Sequence, residues 1–130
     1  MQTRIITDAA TIAIFDLDAL RHRIDSDGDW WTSSAFQELR MELDLQNLYL
    51  IDTGCDGLFD VVIENNDVGV SRKLNVPSGS VFIVCGEEIP AEGLTPELIL
   101  GGIRLSVNAT TIFVSHQIDG NAIRVGIRET

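Results

Sequence analysis

Apolar and polar residues alternate with a period of two along much of this chain. Phe59, Val61 and Ile63 alternate with Asp60, Val62 and Glu64, and Ile123, Val125 and Ile127 alternate with Arg124, Gly126 and Arg128. Such spacing turns one set of side chains to a core and the other to water, as in a half-buried strand. Leu39, Met41, Leu43 and Leu45 alternate likewise with Arg40, Glu42, Asp44 and Gln46. Helix propensity favours the other state here, because Leu, Met, Glu and Arg are good helix formers, but the pattern predicts a strand. By the period-two rule about nine strands are expected, near residues 10–16, 39–45, 48–53, 58–64, 68–76, 80–85, 103–107, 111–118 and 122–128.

Turn residues separate these runs. Gly54-Cys55-Asp56-Gly57, between 48–53 and 58–64, reads as a hairpin, as does Asp119-Gly120-Asn121 between 111–118 and 122–128. Asn65-Asn66-Asp67 and Pro77-Ser78-Gly79 mark two further reversals. Helix is scarce: Thr95-Pro96-Glu97 can start a helix that Gly101-Gly102 soon stops, and residues 18–23 can form another single turn. The expected fold is all-β, an antiparallel β-sandwich or partly closed barrel of about nine strands with one or two single-turn helices.

A length of 130 residues corresponds to one domain spanning 1–130, and 45% hydrophobic content is enough for its core. The formal net charge is −11, with Lys73 the only lysine, which makes a nucleic-acid partner unexpected. The charge is unevenly spread: residues 16–67 hold 13 carboxylates against 3 arginines, a net −10, and the rest of the chain is nearly neutral. Glu42 and Asp44 share an outer face, as do Asp60 and Glu64, so neighbouring strands here would give the protein an acidic side. Cys55 and Cys85 form no metal-binding or dense disulfide pattern and read as small apolar residues of a reduced protein. The first ten residues lack the plan of a signal peptide, and no apolar run approaches the ~20 residues of a membrane span. A cytoplasmic location without membrane contact is the expectation.

Thr11-Ile-Ala-Ile-Phe-Asp16-Leu-Asp18 resembles the first motif of haloacid-dehalogenase-like phosphatases, in which Asp16 would be the nucleophile and Asp18 the acid/base. Ala19 stands in place of the usual glycine, Lys73 lies in no later motif, and the crossover helices of that parallel-sheet fold are missing. A strand running into a solvated acidic loop is therefore expected, with no catalytic residue. Asp25, Asp27 and Asp29 take the first three ligand positions of a calcium loop, but Trp30 falls where its glycine belongs and Phe36 where its bidentate carboxylate belongs. No metal site or cofactor is assigned. Adjacent in an extended segment, Trp30 and Trp31 point opposite ways, one to the core and the other free to anchor a partner. His116 shares a strand face with Ile112, Val114 and Ile118, the setting of a hydrogen-bonded core histidine.

Val76–Gly79, Val81–Val84 and Gly86–Pro90 together resemble a bacterial family of small all-β domains of unknown function, in which a strand ending in Val-Pro-Ser-Gly precedes one ending in a Glu-Glu turn. The 48–64 segment, with Asp56-Gly57, is similar in style. The resemblance implies a β-rich fold and a bacterial source, and no activity.

These features converge on a non-enzymatic protein-interaction module, of the kind an acidic immunity or inhibitor protein presents to a basic partner. Its expected contact residues are Asp16, Asp18, Asp25, Asp27, Asp29, Trp30 and Trp31. The alternative is an enzyme or small-ligand module whose acidic pocket uses a divalent cation. A third reading is homo-oligomerisation through an unpaired sheet edge.

Overall fold

Nine strands and one short helix, besides a helical turn at 43–46, are present in the residues that the computed structural model describes, 1–7, 10–20, 43–85 and 102–129. The strands are β1 (Gln2–Thr7), β2 (Thr11–Phe15), β3 (Leu48–Asp52), β4 (Gly57–Glu64), β5 (Arg72–Asn75), β6 (Ser80–Cys85), β7 (Ile103–Ser106), β8 (Thr111–Asp119) and β9 (Ala122–Glu129), and α1 spans Leu17–Leu20. They form a five-stranded sheet, β1-β4-β9-β8-β5, and a four-stranded sheet, β3-β2-β6-β7. Among the described residues no strand of one sheet pairs with the other, so the architecture is a sandwich and not a barrel. All pairings are antiparallel except β4–β9, which is parallel.

The inner faces follow the alternation. Ile5, Phe59, Val61, Ile112, Val114, Ile123 and Val125 of the five-stranded sheet meet Ile12, Ile14, Ile51 and Ile83 of the other, in one buried cluster. A second cluster lies on the opposite face of the four-stranded sheet, where Leu17 and Leu20 of α1 join Ala13, Phe15, Leu48, Phe82 and Val84. Strands β2 and β6 are thus buried on both faces. That is why their sequences, TIAIF and SVFIVC, are continuous apolar runs and not alternating ones.

Several expected connections take a different form. The 53–56 segment is not a hairpin: β3 and β4 belong to different sheets, and Gly54 (φ 77°) and Gly57 (φ 141°) let the chain cross between them. Gly120-Asn121 does close a hairpin, with Asp119 opposite Ala122 and Gly120 at φ 62°. The strand expected at 68–76 shortens to β5, because residues 65–71 carry the chain from β4 over β9 and β8 to the far edge of the sheet. This crossing packs so closely on the strands that a Cβ at Gly126 would lie 2.2 Å from the Asn66 carbonyl oxygen and 2.6 Å from Ser115 Oγ. The Val68 N–H donates to that Ser115 hydroxyl at 3.0 Å.

The strand expected at 39–45 is not formed where it can be followed. Residues 43–46 make a helical turn, closed by Gln46 N–H on the Leu43 carbonyl (3.1 Å) and left through Gln46 at φ 63°. Local propensity overrides the alternation there; residues 39–42 lie outside the described residues, as does the helix expected from Thr95. Strand β1 was not anticipated, because its outward Ile6 interrupts the alternation. Among the described residues, no helix is long and apolar enough to cross a membrane.

Candidate functional site

Asp16 ends β2 and caps α1. Its carbonyl accepts the Ala19 N–H (3.0 Å) and its Oδ1 accepts the Asp18 N–H (2.9 Å), the pattern of an N-cap aspartate. The same carboxylate reaches the turn between β5 and β6: Ser78 N–H donates to Oδ2 (2.8 Å), and the Ser78 hydroxyl lies 2.8 Å from both oxygens. Asp16 is fully buried and its lone pairs are committed to these donors. It therefore joins the two stretches that drew attention in sequence, the Asp-x-Asp segment and Val-Pro-Ser-Gly, as a structural clasp. A partner cannot reach its carboxylate in this arrangement, which corrects its expected place among the contact residues. Asp18, by contrast, is exposed. Asp25, Asp27, Asp29, Trp30 and Trp31 lie outside the described residues.

The expected acidic side is altered by pairing. Asp60 and Glu64 do share the outer face of β4, but Arg4 on β1 bonds Asp60 (3.1 Å) and Arg124 on β9 bonds Glu64 (2.6 Å). Arg128 also reaches Asp67 (3.3 Å) and lies 4.5 Å over the Phe113 ring. Each of these carboxylates from the acidic segment meets an arginine supplied by sequence outside it. The Arg124 hydrogen bond holds the Glu64 carboxyl below its ordinary range. Asp44 is exposed on the helical turn and belongs to no strand face.

A different polar group sits where the two sheets part at their β3 and β5 edges. The Tyr49 hydroxyl of β3 meets Nδ1 of His116 on β8 at 2.5 Å, with the rings edge-to-face at 80°. His116 is thus the hydrogen-bonded histidine its strand face implies. Burial pushes the Tyr49 hydroxyl up and, with Arg72 nearby, pushes the His116 imidazole down. Both groups are neutral at neutral pH, and they share one hydrogen bond whose direction follows the imidazole tautomer. A cleft of about 830 Å³ opens beside the pair. Arg72, Lys73 and Asp44 line it with Leu48, Leu50 and Val70. Asn75 ties the edge together, its N–H on the Gln46 carbonyl (2.7 Å) and its amide on the Leu45 carbonyl (2.9 Å). Sequence reading missed this cleft because Tyr49, Arg72 and His116 are brought together only by the sandwich. The one available signal was His116 on an apolar face.

Among the described residues no group of three or more His, Cys, Asp or Glu side chains could hold a metal ion. Cys55 is exposed and Cys85 half-buried, and no disulfide joins them.

The whole chain, residues 1–130, matches the profile of DUF6386, a family of unknown function. The chain belongs to this family. That bears out the resemblance to an all-β family of unknown function. Two solved structures share the fold. One, described as crocagin biosynthetic gene J, superposes with a TM-score of 0.65 at 17% identity, covering 99% of this chain and 97% of its own. The other is ComJ from Bacillus subtilis, inhibitor of the DNA-degrading activity of NucA, with a TM-score of 0.50 at 8% identity, covering 100% of this chain and 96% of its own. No curated protein matches the chain in sequence.

Proposed function

We propose that this protein is a non-enzymatic interaction module that binds and restrains a basic protein partner, in the manner of an inhibitor or immunity protein. The observation that carries this reading is the fold shared over the full length with ComJ, an inhibitor of a DNA-degrading protein. Two features of the chain support it. The carboxylate nearest to a catalytic motif, Asp16, is buried and bonded to Ser78 and the Asp18 N–H as a structural clasp. The acidic stretch that follows begins at the exposed Asp18, and Asp25, Asp27 and Asp29 extend the run in sequence. Carboxylates so gathered draw a cationic surface in and set its orientation.

The test is co-expression of the tagged chain with each product of its flanking genes, followed by purification at low and high salt. A stoichiometric complex with a basic protein is expected, weakened when Asp18, Asp25, Asp27 and Asp29 are changed to Asn while Asp16 is kept to preserve the fold. A complex of unchanged affinity in that variant would overturn the assignment of the contact surface. Stabilisation of the free chain by millimolar calcium, magnesium or manganese would favour the cation-dependent alternative instead.

A further inference from the structure

We infer that the cleft between the β3 and β5 edges is a binding site for a small organic anion, a carboxylate or phosphate carried on an apolar body, held by Arg72 with His116. The first ground is charge placement in a chain of net charge −11. Arg4, Arg124 and Arg128 are each engaged by a carboxylate, and Arg104 donates to the Ser80 hydroxyl (2.6 Å) while lying over Phe82. Arg72 and Lys73, adjacent on β5, make no ion pair or hydrogen bond among the described residues, although the chain has carboxylates in excess. Asp44 is the one carboxylate on the described lining, against these two cations.

The second ground is orientation. Arg72 shares its strand parity with the buried Leu74, two residues on, so it lies on the side of β5 that faces the other sheet. It is there close enough to Tyr49 and His116 to act on both electrostatically. The Tyr49 hydroxyl engages Nδ1 of His116, which fixes the ring and leaves Nε2 as its other polar atom. The Arg72 guanidinium on the same cleft has the planar fork of donors that suits a carboxylate or phosphate oxygen pair.

The third ground is the size and the remaining lining. About 830 Å³ is in the range of small-molecule sites, and the partly exposed Leu50 and the exposed Val70 supply apolar wall for a ligand's body. Val70 is 87% exposed, an apolar side chain left in water at the rim. A lone cation-binding or metal role does not suit a lining whose charges are mainly positive. This site is independent of the acidic stretch and of the protein partner proposed above, and its test uses neither.

The test follows the His116 ring protons by NMR at constant ionic strength while phenyl phosphate, benzoate, inorganic phosphate or acetate is added. Saturable shifts are expected with phenyl phosphate or benzoate at lower concentration than with inorganic phosphate or acetate, because only the first two fill the apolar wall. Whichever of phenyl phosphate and benzoate binds more tightly identifies the anionic group. Arg72→Ala should weaken binding by about tenfold, the scale of one charge-assisted contact, and Arg72→Lys by less. Arg104→Ala, at the opposite edge of the four-stranded sheet, should leave it unchanged. Shifts that never saturate, or that persist equally in Arg72→Ala, would overturn the proposal. Arg72 is exposed, so its variants should fold, and the unchanged signals of the inter-sheet core would verify this in the same spectra.

Discussion

The two sheets of this sandwich use the same kinds of residue to opposite ends. The five-stranded sheet buries one face and keeps the other wet, with Arg4, Arg124 and Arg128 laid across Asp60, Glu64 and Asp67. The central strands of the four-stranded sheet are buried on both faces, and its outer cluster is tied to the rest by a buried carboxylate, Asp16. The paired charge on the first sheet is solvated and interchangeable, whereas Asp16 beside the second is buried and hydrogen-bonded. A buried carboxylate without donors would cost several kcal/mol, so its geometry is constrained as the outer pairs are not.

The sharpest test of this contrast is Phe15→Ala. Phe15 faces away from the inter-sheet core and stacks on Phe82 with centroids 5.8 Å apart. If the outer face of the four-stranded sheet is a true core, truncation should cost about 3–5 kcal/mol in urea unfolding. A loss under about 1 kcal/mol would make that face an ordinary surface. Gly126→Ala probes the five-stranded sheet where the 65–71 crossing packs onto its outer face. The crossing segment would have to lift off β9, at a cost of about 3 kcal/mol, the upper end for overpacking. Asp16→Asn should cost about 2 kcal/mol by weakening the charge-assisted bonds from Ser78 and Asp18.

Smaller effects follow from titration and from the outer ion pairs. The His116 imidazole titrates below its ordinary value in the folded chain, so as pH falls past about 6.5 the unfolded chain takes up a proton first and stability declines. Arg72→Ala removes one of the two causes, and the decline between neutral pH and the His116 transition should become shallower in pH-dependent urea titrations. Least of all, Arg4→Gln should barely move the unfolding midpoint, and the difference should vanish in molar salt, because Arg4 is 73% exposed and Asp60 37%. A large or salt-insensitive loss there would break the contrast between the sheets.

How far these differences were legible in sequence depends on the range of the interaction involved. Strands β4 and β9 were readable because alternation is a property of adjacent residues, and so was the Gly120-Asn121 hairpin, where the turn chemistry is local. The helical turn at 43–46 was misread because pattern and propensity disagreed, and no neighbour was in view to arbitrate. The crossing at 53–56 carried the same glycines as a hairpin, and only the partners of β3 and β4 distinguish the two. The acidic surplus was countable, yet Asp60, Glu64 and Asp67 gave no sign that arginines some 56–61 residues away would meet them. Asp16 and Ser78, 62 residues apart, likewise looked like two unrelated motifs.

What the sequence alone determined is therefore the class of the fold, the inward and outward sides of its clearest strands, and the sign and location of its charge. Tertiary structure decided which strands share a sheet, which charges are paired, that Asp16 is buried, and that Tyr49, Arg72 and His116 stand around one cleft. The division has a physical cause. Side-chain direction along a strand repeats every two residues and is written locally, whereas sheet order, ion pairing and clefts arise from contacts between segments whose separation no local pattern records.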